Sequence, residues 1–261
     1  MTVIDDFRMD GHVCVVTGGG RGIGEGIALC MAEAGADVVV AARRKHDVES
    51  VVQKIEDRGR RGLAVSIDLM EKNAVRELVD AAVNKFGKIS IWVNNAGGSE
   101  SSETYYIDET PVDYWEWMIK FNLTIPFEGA KWAIPHIPKN GSIINIVSGA
   151  GLNAAPHTGA YGAAKAGVIS LTNNLAFMWA PHNINVNCIL PGLTATDELK
   201  GYGIIPTSPD KNGKEVPRLN LPPGPEDVAN LTLFLASPAS DALTGELYPI
   251  RAWLKSERFW Q

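Results

Sequence analysis

The chain has 261 residues, of which 45% are apolar and 21% are charged, a composition typical of one soluble globular domain. Its 24 basic and 30 acidic residues give a formal net charge of −6, which argues against nucleic acid or an anionic membrane as the main partner. Apolar runs stay well short of the roughly 20 residues of a membrane span, and the acidic N-terminus has no apolar signal core, so we expect a cytoplasmic protein.

Short β-branched runs alternate with longer helical patterns. Strands are predicted at 12–17, 37–42, 63–67, 89–94, 142–148, 184–190 and 246–250. Helices are predicted at 23–34, 46–58, 71–86, 112–137, 158–180 and 225–237. The fourth helix contains Pro126, which requires either a kink or neighbours that accommodate the lost hydrogen bond. Strands that are apolar on both faces and alternate with helices predict an α/β fold with a single domain spanning 1–261. We expect a Rossmann-like, doubly wound sheet of about seven parallel strands with helices on both faces.

A glycine-rich run, TGGGRGIG at 17–24, joins the first strand to the first helix. Gly18, Gly22 and Gly24 permit a tight turn and a close approach of a pyrophosphate to the backbone. Ile23 opens the helix, whose free N–H groups and positive dipole end would face that phosphate. The spacing is not the usual G-x-G-x-x-G, but the strand–loop–helix context predicts a dinucleotide site. The alternative is a plain glycine turn.

The end of the second strand lacks the carboxylate that would bind the ribose 2′-hydroxyl of NAD. Arg43 follows Ala42 there and could hold a 2′-phosphate by charge-assisted, bidentate hydrogen bonds, with Arg44 beside it. Arg21, in the glycine loop, could add a further positive charge. The sequence therefore favours NADP(H), with NAD(H) still possible. Alternatively, Arg43 and Arg44 are solvated residues at the start of a helix.

Small and polar residues also follow the later strands. Asp68 could accept a hydrogen bond from an adenine amino group or cap the next helix. Because the carboxyl ends of parallel strands meet at one edge of the sheet, where open α/β sheets bind ligands, we expect these residues to line the same site. The further cofactor-binding candidates are Asp68, Leu69, Asn95, Ala96, Gly97, Pro191, Gly192, Leu193 and Thr196.

Tyr161 and Lys165 lie four residues apart in the run YGAAK, so both project from one face of a predicted helix. A nearby ammonium favours phenolate and would lower the pKa of Tyr161. Tyr161 could then exchange a proton with a substrate oxygen near neutral pH. Ser148, at the end of the fifth strand, could hydrogen-bond the same oxygen. The Tyr-x-x-x-Lys pair alone is weak evidence, because such pairs also arise by chance.

In order and spacing, these motifs resemble the classical subgroup of the short-chain dehydrogenase/reductase family. The matching segments run from about residue 12 to 197 and are TGGGRGIG, Asp68-Leu69, NNAG, Asn122, Ser148, YGAAK, and NVNCILPG followed by Thr196. The resemblance implies that Tyr161 is the catalytic acid/base and that Ser148 orients the substrate. It implies that Lys165 lowers the pKa of Tyr161 and binds the nicotinamide ribose, and that Asn122 bends its helix and holds a water that links Lys165 to solvent. The plain alternatives are that Asn122 is only a helix-kink residue, that Ser148 is only a hydroxyl at a strand end, and that Lys165 is only a surface charge.

The resemblance further implies hydride transfer between NADP(H) and a ketone or secondary alcohol. It also implies a homotetramer or homodimer assembled through the helices at 112–137 and 158–180. The main alternative is a non-catalytic nucleotide sensor or scaffold on the same fold, which would not need a proton relay. An extended-subgroup epimerase or dehydratase is a lesser alternative, since it would need a larger C-terminal domain.

The substrate side departs from the regular pattern. The Gly- and Pro-rich stretch 197–225 is interpreted as a substrate lid. The tail at 251–261 replaces the family's Val-Asp-Gly-Gly ending, and its Phe259 and Trp260 could line the cleft or pack on a neighbouring subunit. The stretch 149–159 contains no arginine or lysine, so a neutral, apolar, alicyclic or steroid-like substrate is expected. Candidate wall residues are 149–152, Asn153, His157, Leu193, Tyr105, Tyr106, Tyr114 and Trp115, although the aromatic residues could simply pack the helix.

Three cysteines, Cys14, Cys30 and Cys188, are odd in number and widely spaced. They indicate free thiols in a reducing compartment. The five histidines show no paired spacing of metal ligands, so no metal site is predicted.

Overall fold

Seven parallel strands form one sheet in the computed structural model, which describes residues 2–99, 105–201, 208–210 and 213–252. The strands are β1 (Val13–Thr17), β2 (Asp37–Ala42), β3 (Gly62–Ser66), β4 (Ile91–Asn94), β5 (Ser142–Ile146), β6 (Asn185–Pro191) and β7 (Leu247–Ile250). They pair in the order β3-β2-β1-β4-β5-β6-β7. The predicted α/β fold with seven parallel strands is confirmed.

Helices cover both faces of this sheet. They are α1 (Gly22–Glu33), α2 (Lys45–Glu56), α3 (Ala74–Phe86), α4 (Val112–Ile119), α5 (Ile125–Ala133), α6 (Gly159–Trp179), α7 (Asp197–Gly201) and α8 (Pro225–Ala236). Cys14 and Val16 of β1 pack with α1, α2 and α8, whereas Val13 and Val15 pack with α3 and α5. Because successive side chains of a strand point to opposite faces, an apolar strand such as β1 fills both layers of the core.

The helix predicted over 112–137 is interrupted. α4 ends at Ile119, a π-helical turn spans Lys120–Thr124, and α5 follows with Pro126 in its first turn. Pro126 has no N–H to donate to the carbonyl four residues earlier, and the backbone widens just before it, so that the Ile125 N–H bonds the carbonyl of Lys120. The prediction of one continuous α-helix over 112–137 is therefore wrong, because a π-helical turn precedes Pro126.

Two predicted features fall partly outside the described residues. The proposed lid begins as the short helix α7, but residues 202–207, 211 and 212 lie outside the description. The tail beyond residue 252, including Phe259 and Trp260, lies outside it as well. Within the described ranges, no helix has both the length and the hydropathy needed to cross a bilayer.

Candidate active site

The glycine loop lies at the carboxyl end of β1, against the first turn of α1. Gly18 and Gly22 adopt left-handed backbone conformations, with φ of 65° and 57°, which L side chains rarely adopt. A Cβ on Gly24 would lie 2.2 Å from the carbonyl oxygen of Gly18. Only glycine at position 24 lets the helix start this close to the loop. Ile23 follows Gly22 in this first turn, and Arg21 is exposed at the N-cap of α1.

Thr17 joins this loop to the end of β4. Its hydroxyl donates to the carbonyl of Val93 (3.1 Å) and accepts the N–H groups of Asn95 and Ala96, both at 3.0 Å. The Asn95 side chain donates back to the carbonyls of Thr17 and Gly18, at 2.9 and 3.2 Å. The structure thus brings the two predicted motifs together, and it shows that the Asn95 amide holds the loop. Sequence reasoning missed Thr17, whose only signal is a hydroxyl at the end of an apolar strand.

The segment after β6 passes over the same loop. The Gly192 N–H donates to the carbonyl of Ile250 (2.7 Å), and the Thr194 hydroxyl donates to the carbonyl of Gly192 (3.2 Å). A Cβ at Gly22 would lie 3.4 Å from the methyl group of Thr196. Pro191 ends β6, and Leu193 is exposed beside it. The predicted residues at 191–196 are therefore gathered at the edge of the sheet that holds the glycine loop.

The two arginines after β2 have different surroundings. Arg44 Nε lies 2.7 Å from Asp47 Oδ2, whereas Arg43 is exposed and, across the described part of the chain, forms no ion pair. A Cβ on Gly20 would lie 3.0 Å from the Cβ of Asp47. Asp47 is thus a carboxylate beside the glycine loop that sequence reasoning overlooked, and Arg44 is paired with it.

Asp68 and Leu69 follow β3. The Asp68 carboxylate accepts the N–H of Met70 (3.0 Å), and α3 begins only at Ala74, so Asp68 stabilises a local turn and does not cap the helix. Leu69 is buried in the core layer that includes α3. Contact of this pair with an adenine ring stays a prediction.

Asn122 lies in the π-helical turn and is fully buried. Its amide oxygen accepts the N–H of Gly98 (2.9 Å), and its Nδ2 donates to the carbonyls of Gly98 (3.0 Å) and Met118 (3.3 Å). A Cβ on Gly97 would lie 2.8 Å from Asn122 Oδ1 and 3.0 Å from Lys165 Nζ. The loop after β4, the widened helix and Lys165 therefore converge at one point.

Lys165 is a buried cation, with only 4% of its surface exposed. Its Nζ donates to the carbonyl of Ile146 at the end of β5 (3.1 Å) and lies 5.6 Å from the centre of the Tyr161 ring. Burial lowers the pKa of Lys165 to about 8, against a smaller opposing effect of Cys188. The alternative of a surface charge is wrong for this residue.

Ser148 lies close enough to Tyr161 for hydrogen bonding between the two hydroxyls to act on the pKa of the phenol. Ser148 Oγ also accepts the N–H of Ala150 (3.3 Å), which turns the chain after β5 towards α6. Burial raises the pKa of Tyr161, and the hydrogen bond with Ser148 opposes that rise only in part. The expectation that Lys165 lowers the pKa of Tyr161 is therefore wrong for this geometry, because desolvation of the phenolate dominates. The phenol is protonated at neutral pH, the form that can donate to a substrate oxygen.

The expected aromatic wall packs against the loop that enters α6. The Tyr105 N–H donates to the carbonyl of His157 (3.2 Å), and the Tyr106 ring lies 4.5 Å from the His157 imidazole. Tyr105 also packs edge-on against Tyr114, at 5.0 Å. The Asn153 amide donates to the carbonyl of Gly149 (3.0 Å) within its own loop. Large apolar side chains left exposed in these loops and after β6 are Tyr106, Ile107, Leu152 and Leu193.

Comparison with known proteins gives a consistent result. The model of the short chain dehydrogenase family matches residues 12–203. The 7alpha-hydroxysteroid dehydrogenase of Escherichia coli (strain K12) is 34% identical over 248 residues, which cover 94% of this chain and 95% of that protein. A solved 7alpha-hydroxysteroid dehydrogenase complexed with NADH and 7-oxo glycochenodeoxycholic acid has a TM-score of 0.84 at 31% identity, covering 97% of this chain and 98% of that one. A blue fluorescent protein from a metagenomic library, in complex with NADPH, has a TM-score of 0.83 at 28% identity and covers 95% and 100%.

Proposed function

The chain belongs to the short-chain dehydrogenase family, and we propose that it transfers a hydride between NADP(H) and a ketone or secondary alcohol, with Tyr161 as the acid/base. As an oxidoreductase of this family it acts on CH–OH groups. The observation that carries the proposal is the buried Lys165 ammonium, which donates to the carbonyl of Ile146 and lies 5.6 Å from the centre of the Tyr161 ring, one helical turn away. Ser148 follows β5 close enough to Tyr161 to act on the pKa of its phenol. A protonated phenol and a hydroxyl held together can bind one carbonyl oxygen from two directions.

The glycine loop fits a dinucleotide. Gly18 and Gly22 adopt left-handed backbone conformations in the tight turn of the loop, and Gly24 keeps the start of α1 close to the loop and clear of side chains. Such a helix start favours a pyrophosphate. Arg43, next to Ala42 and outside any ion pair among the described residues, supports a preference for the 2′-phosphate of NADP(H). The solved relatives include complexes with NADH and with NADPH.

In the proposed mechanism, the bound nicotinamide supplies or accepts the hydride. Tyr161 donates its proton to the substrate oxygen in reduction and takes it back in oxidation. Ser148 holds the same oxygen, and Lys165, with a pKa of about 8, keeps a positive charge beneath the phenol at neutral pH. Asn122 fixes the loop after β4 against this cation. A positioned acid/base of this kind contributes about 10² to 10⁴ in rate.

We propose that the substrate is neutral, apolar and alicyclic or steroid-like. The exposed apolar side chains of Tyr106, Leu152 and Leu193 support this proposal. One of the curated relatives is a 7alpha-hydroxysteroid dehydrogenase, which is consistent with a compact alicyclic alcohol.

We also propose a cytoplasmic homo-oligomer. Exposed apolar side chains on α5 and α6, namely Phe127, Phe177 and Met178, support an assembly through these helices. Three free thiols support a reducing compartment. Light scattering at micromolar concentration should give a multiple of 28.1 kDa, and a monomeric mass would contradict the assembly.

The decisive experiment follows nicotinamide absorbance with a panel of steroids, cyclic ketones and sugars, using NADPH and NADH. We expect turnover with NADPH and at least one alicyclic ketone. Tyr161→Phe should lower kcat by at least about a hundredfold while the Kd of NADPH stays within about twofold. Tyr248→Phe, which removes a phenol hydroxyl on β7, is the matched control and should retain activity. Tight NADPH binding without turnover on any substrate would favour the sensor or scaffold alternative and overturn the proposal.

A further inference from the structure

A continuous chain of buried side-chain hydrogen bonds runs through the sheet beneath the proposed site. Trp92 Nε1 donates to Asn94 Oδ1 (2.7 Å), and Asn94 Nδ2 donates to Asn145 Oδ1 (2.8 Å). Asn145 Nδ2 then donates to Thr172 Oγ1 (2.8 Å), which also accepts the Cys188 thiol (3.0 Å). All five side chains are buried. None of them is one of the proposed catalytic residues Asn122, Ser148, Tyr161 and Lys165. The proposed mechanism does not use this chain of hydrogen bonds.

Two members of this chain, Asn94 and Thr172, reach the helical segments that carry Asn122 and the Tyr161–Lys165 pair. Asn94 Nδ2 also donates to the carbonyl of Pro126 (3.3 Å), which follows the turn that contains Asn122. Thr172 lies in α6, two helical turns after Lys165 and on the same face. The chain therefore ties the widened helix to α6 through the strands between them.

The central bond also ties α6 to the strand that ends in Ser148. Asn145 belongs to β5, directly before Ile146, whose carbonyl accepts Lys165 Nζ, and three residues before Ser148. The hydrogen bond between Asn145 and Thr172 thus fixes the position of α6 along β5. The contact of Tyr161 with Ser148 and the bond of Lys165 to β5 both depend on that position.

Every hydrogen-bonding position of the Thr172 hydroxyl is occupied in this arrangement. Its hydroxyl donates to the carbonyl of Val168 (2.9 Å) and accepts both Asn145 and Cys188, which fills its donor and acceptor positions. A shift of α6 would break these bonds and leave a buried amide without a partner, which is unfavourable. The fully satisfied chain therefore holds α6 in one position.

We propose that Asn145 and Thr172 are positioning residues. They hold α6 at the position along β5 where Tyr161 contacts Ser148 and Lys165 donates to the carbonyl of Ile146. This inference rests on the proposed function, because it concerns the placement of that function's acid/base pair. A displacement of about 1 Å at a reacting group can lower a rate by about a hundredfold. The two residues act through α6 and touch no reacting atom.

The test compares Thr172→Val with Thr232→Val. Thr232 is a matched control, because it is fully buried in α8 and its hydroxyl also donates to the carbonyl four residues earlier, that of Val228 (2.8 Å). Among the described residues, no side-chain amide bonds the Thr232 hydroxyl, and α8 carries none of the proposed catalytic residues. Thr172→Ser keeps the hydroxyl and should restore the wild-type behaviour. If Thr172→Val does not fold, Thr172→Ala and Thr232→Ala provide the same comparison with a smaller side chain.

The kinetic readout uses the best ketone of the panel with NADPH and with its 4-deuterated form. We expect Thr172→Val to lower kcat about tenfold, to leave the KM for NADPH within about twofold, and to raise the isotope effect on kcat, because hydride transfer becomes slower. Thr232→Val should keep the wild-type kcat and isotope effect. An equal loss of kcat in the two variants, or an unchanged isotope effect in Thr172→Val, would overturn the proposal.

A second readout does not depend on activity. In protein without nucleotide, Thr172→Val should accelerate amide hydrogen exchange in the segment from Tyr161 to Lys165 relative to α1, whereas Thr232→Val should leave that segment unchanged. Unchanged exchange in this segment would overturn the positioning role even in an active enzyme. If the wild-type protein turns over no ketone or alcohol, the proposed oxidoreductase function fails, while selective exchange in α6 would still support the positioning of the helix.

Discussion

At the residue scale, Lys165 is a cation whose burial is unfavourable. Its ammonium is almost fully enclosed and has one backbone carbonyl as its hydrogen-bond acceptor, that of Ile146. Desolvation lowers its pKa from 10.5 to about 8. A cation kept under such conditions destabilises the folded state at neutral pH.

Replacement of this cation should stabilise the protein. Lys165→Met should raise the free energy of unfolding by on the order of 2 kcal/mol at pH 7 and abolish turnover. The gain should shrink between pH 8 and 10.5, because there the unfolded lysine still holds its proton and the folded one does not, so the wild type gains stability as pH rises. Urea unfolding at pH 7 and at pH 9.5 measures both effects. Lys85→Met, an exposed lysine on α3, is the control, and equal stabilisation by both changes would contradict the argument.

Arg43 is the residue on which nucleotide preference is expected to depend. Arg43→Ala should raise the KM for NADPH by about ten- to a hundredfold and leave the KM for NADH almost unchanged, because a lost hydrogen bond between charged groups is worth about 1.5–3 kcal/mol. Arg44→Ala is the comparison, since Arg44 already pairs with Asp47. Steady-state kinetics with both nucleotides decides the point. A similar change for NADPH and NADH would show that Arg43 does not read the 2′-phosphate.

Single residues differ in how far they can be predicted from sequence. The i, i+4 spacing of Tyr161 and Lys165 was sufficient to place both on one face of α6, beside the end of β5. The direction of the pKa of Tyr161 was not accessible, because it depends on how deeply the packed structure buries the phenol. Asn145 and Thr172 carry no spacing signal either, since their bond joins residues 27 positions apart.

At the scale of elements, the first turn of α1 depends on a missing side chain. Gly24→Ala would place a Cβ 2.2 Å from the carbonyl oxygen of Gly18, so the helix must move away from the loop. We expect NADPH affinity to fall at least about tenfold and the free energy of unfolding to fall by about 1–3 kcal/mol. Isothermal titration and urea unfolding measure these two quantities.

Gly201→Ala provides the control for this change. Gly201 ends α7, and a Cβ there would meet no atom of the described residues within 4 Å. An alanine there should leave both nucleotide affinity and stability close to the wild-type values. If Gly24→Ala also had no effect on NADPH affinity, the loop would not be the pyrophosphate site.

Elements were predicted well where pattern alone determines them. All seven strands lie within the predicted β-branched runs or at their borders, because an apolar strand must be covered on both faces. The helix over 112–137 was predicted less well. Pro126 indicated a break, but the π-helical turn at Lys120–Thr124 depends on how Asn122 reaches Gly98 on a different loop. The start of α3 at Ala74 depends on the left-handed backbone of Asn73, with φ of 65°.

At the scale of the whole molecule, an ion cluster lies at the amino ends of the strands, on the opposite side of the sheet from the carboxyl ends that form the site. The Asp37 carboxylate, at the start of β2, accepts both Arg61 Nε (3.0 Å) and the Arg61 backbone N–H (3.1 Å), and Arg60 lies 3.4 Å away. Burial alone would raise the pKa of Asp37, but the hydrogen bonds and charge of Arg61, together with the charge of Arg60, hold that pKa below its usual value.

Loss of this carboxylate should destabilise the protein. Asp37→Asn should lower the free energy of unfolding by on the order of 2 kcal/mol at pH 7, because it removes a buried carboxylate that pairs with the partly buried Arg60 and the exposed Arg61. The folded pKa of Asp37 lies below the unfolded one, so its contribution is present above about pH 4 and is lost as pH falls. Thermal unfolding at pH 7 and pH 3 tests both parts. Asp10→Asn breaks an exposed pair with Arg8 and should change stability far less; an equal effect of the two changes would count against the role of burial.

Because β1 lies inside the sheet, one of its two edges stays unpaired for a time during synthesis of the chain. One neighbour, β2, follows soon in the chain, but on the other side the Val13 N–H must wait for Ser90, which is 77 residues further along. At about 5–20 residues per second, the ribosome needs several seconds to supply that partner. Throughout this time a strand that is apolar from Val13 to Val16 has one unpaired edge, the feature that promotes aggregation of nascent chains. A binder of extended apolar segments is therefore expected to raise the yield of native protein most when it acts before β4 has left the ribosome.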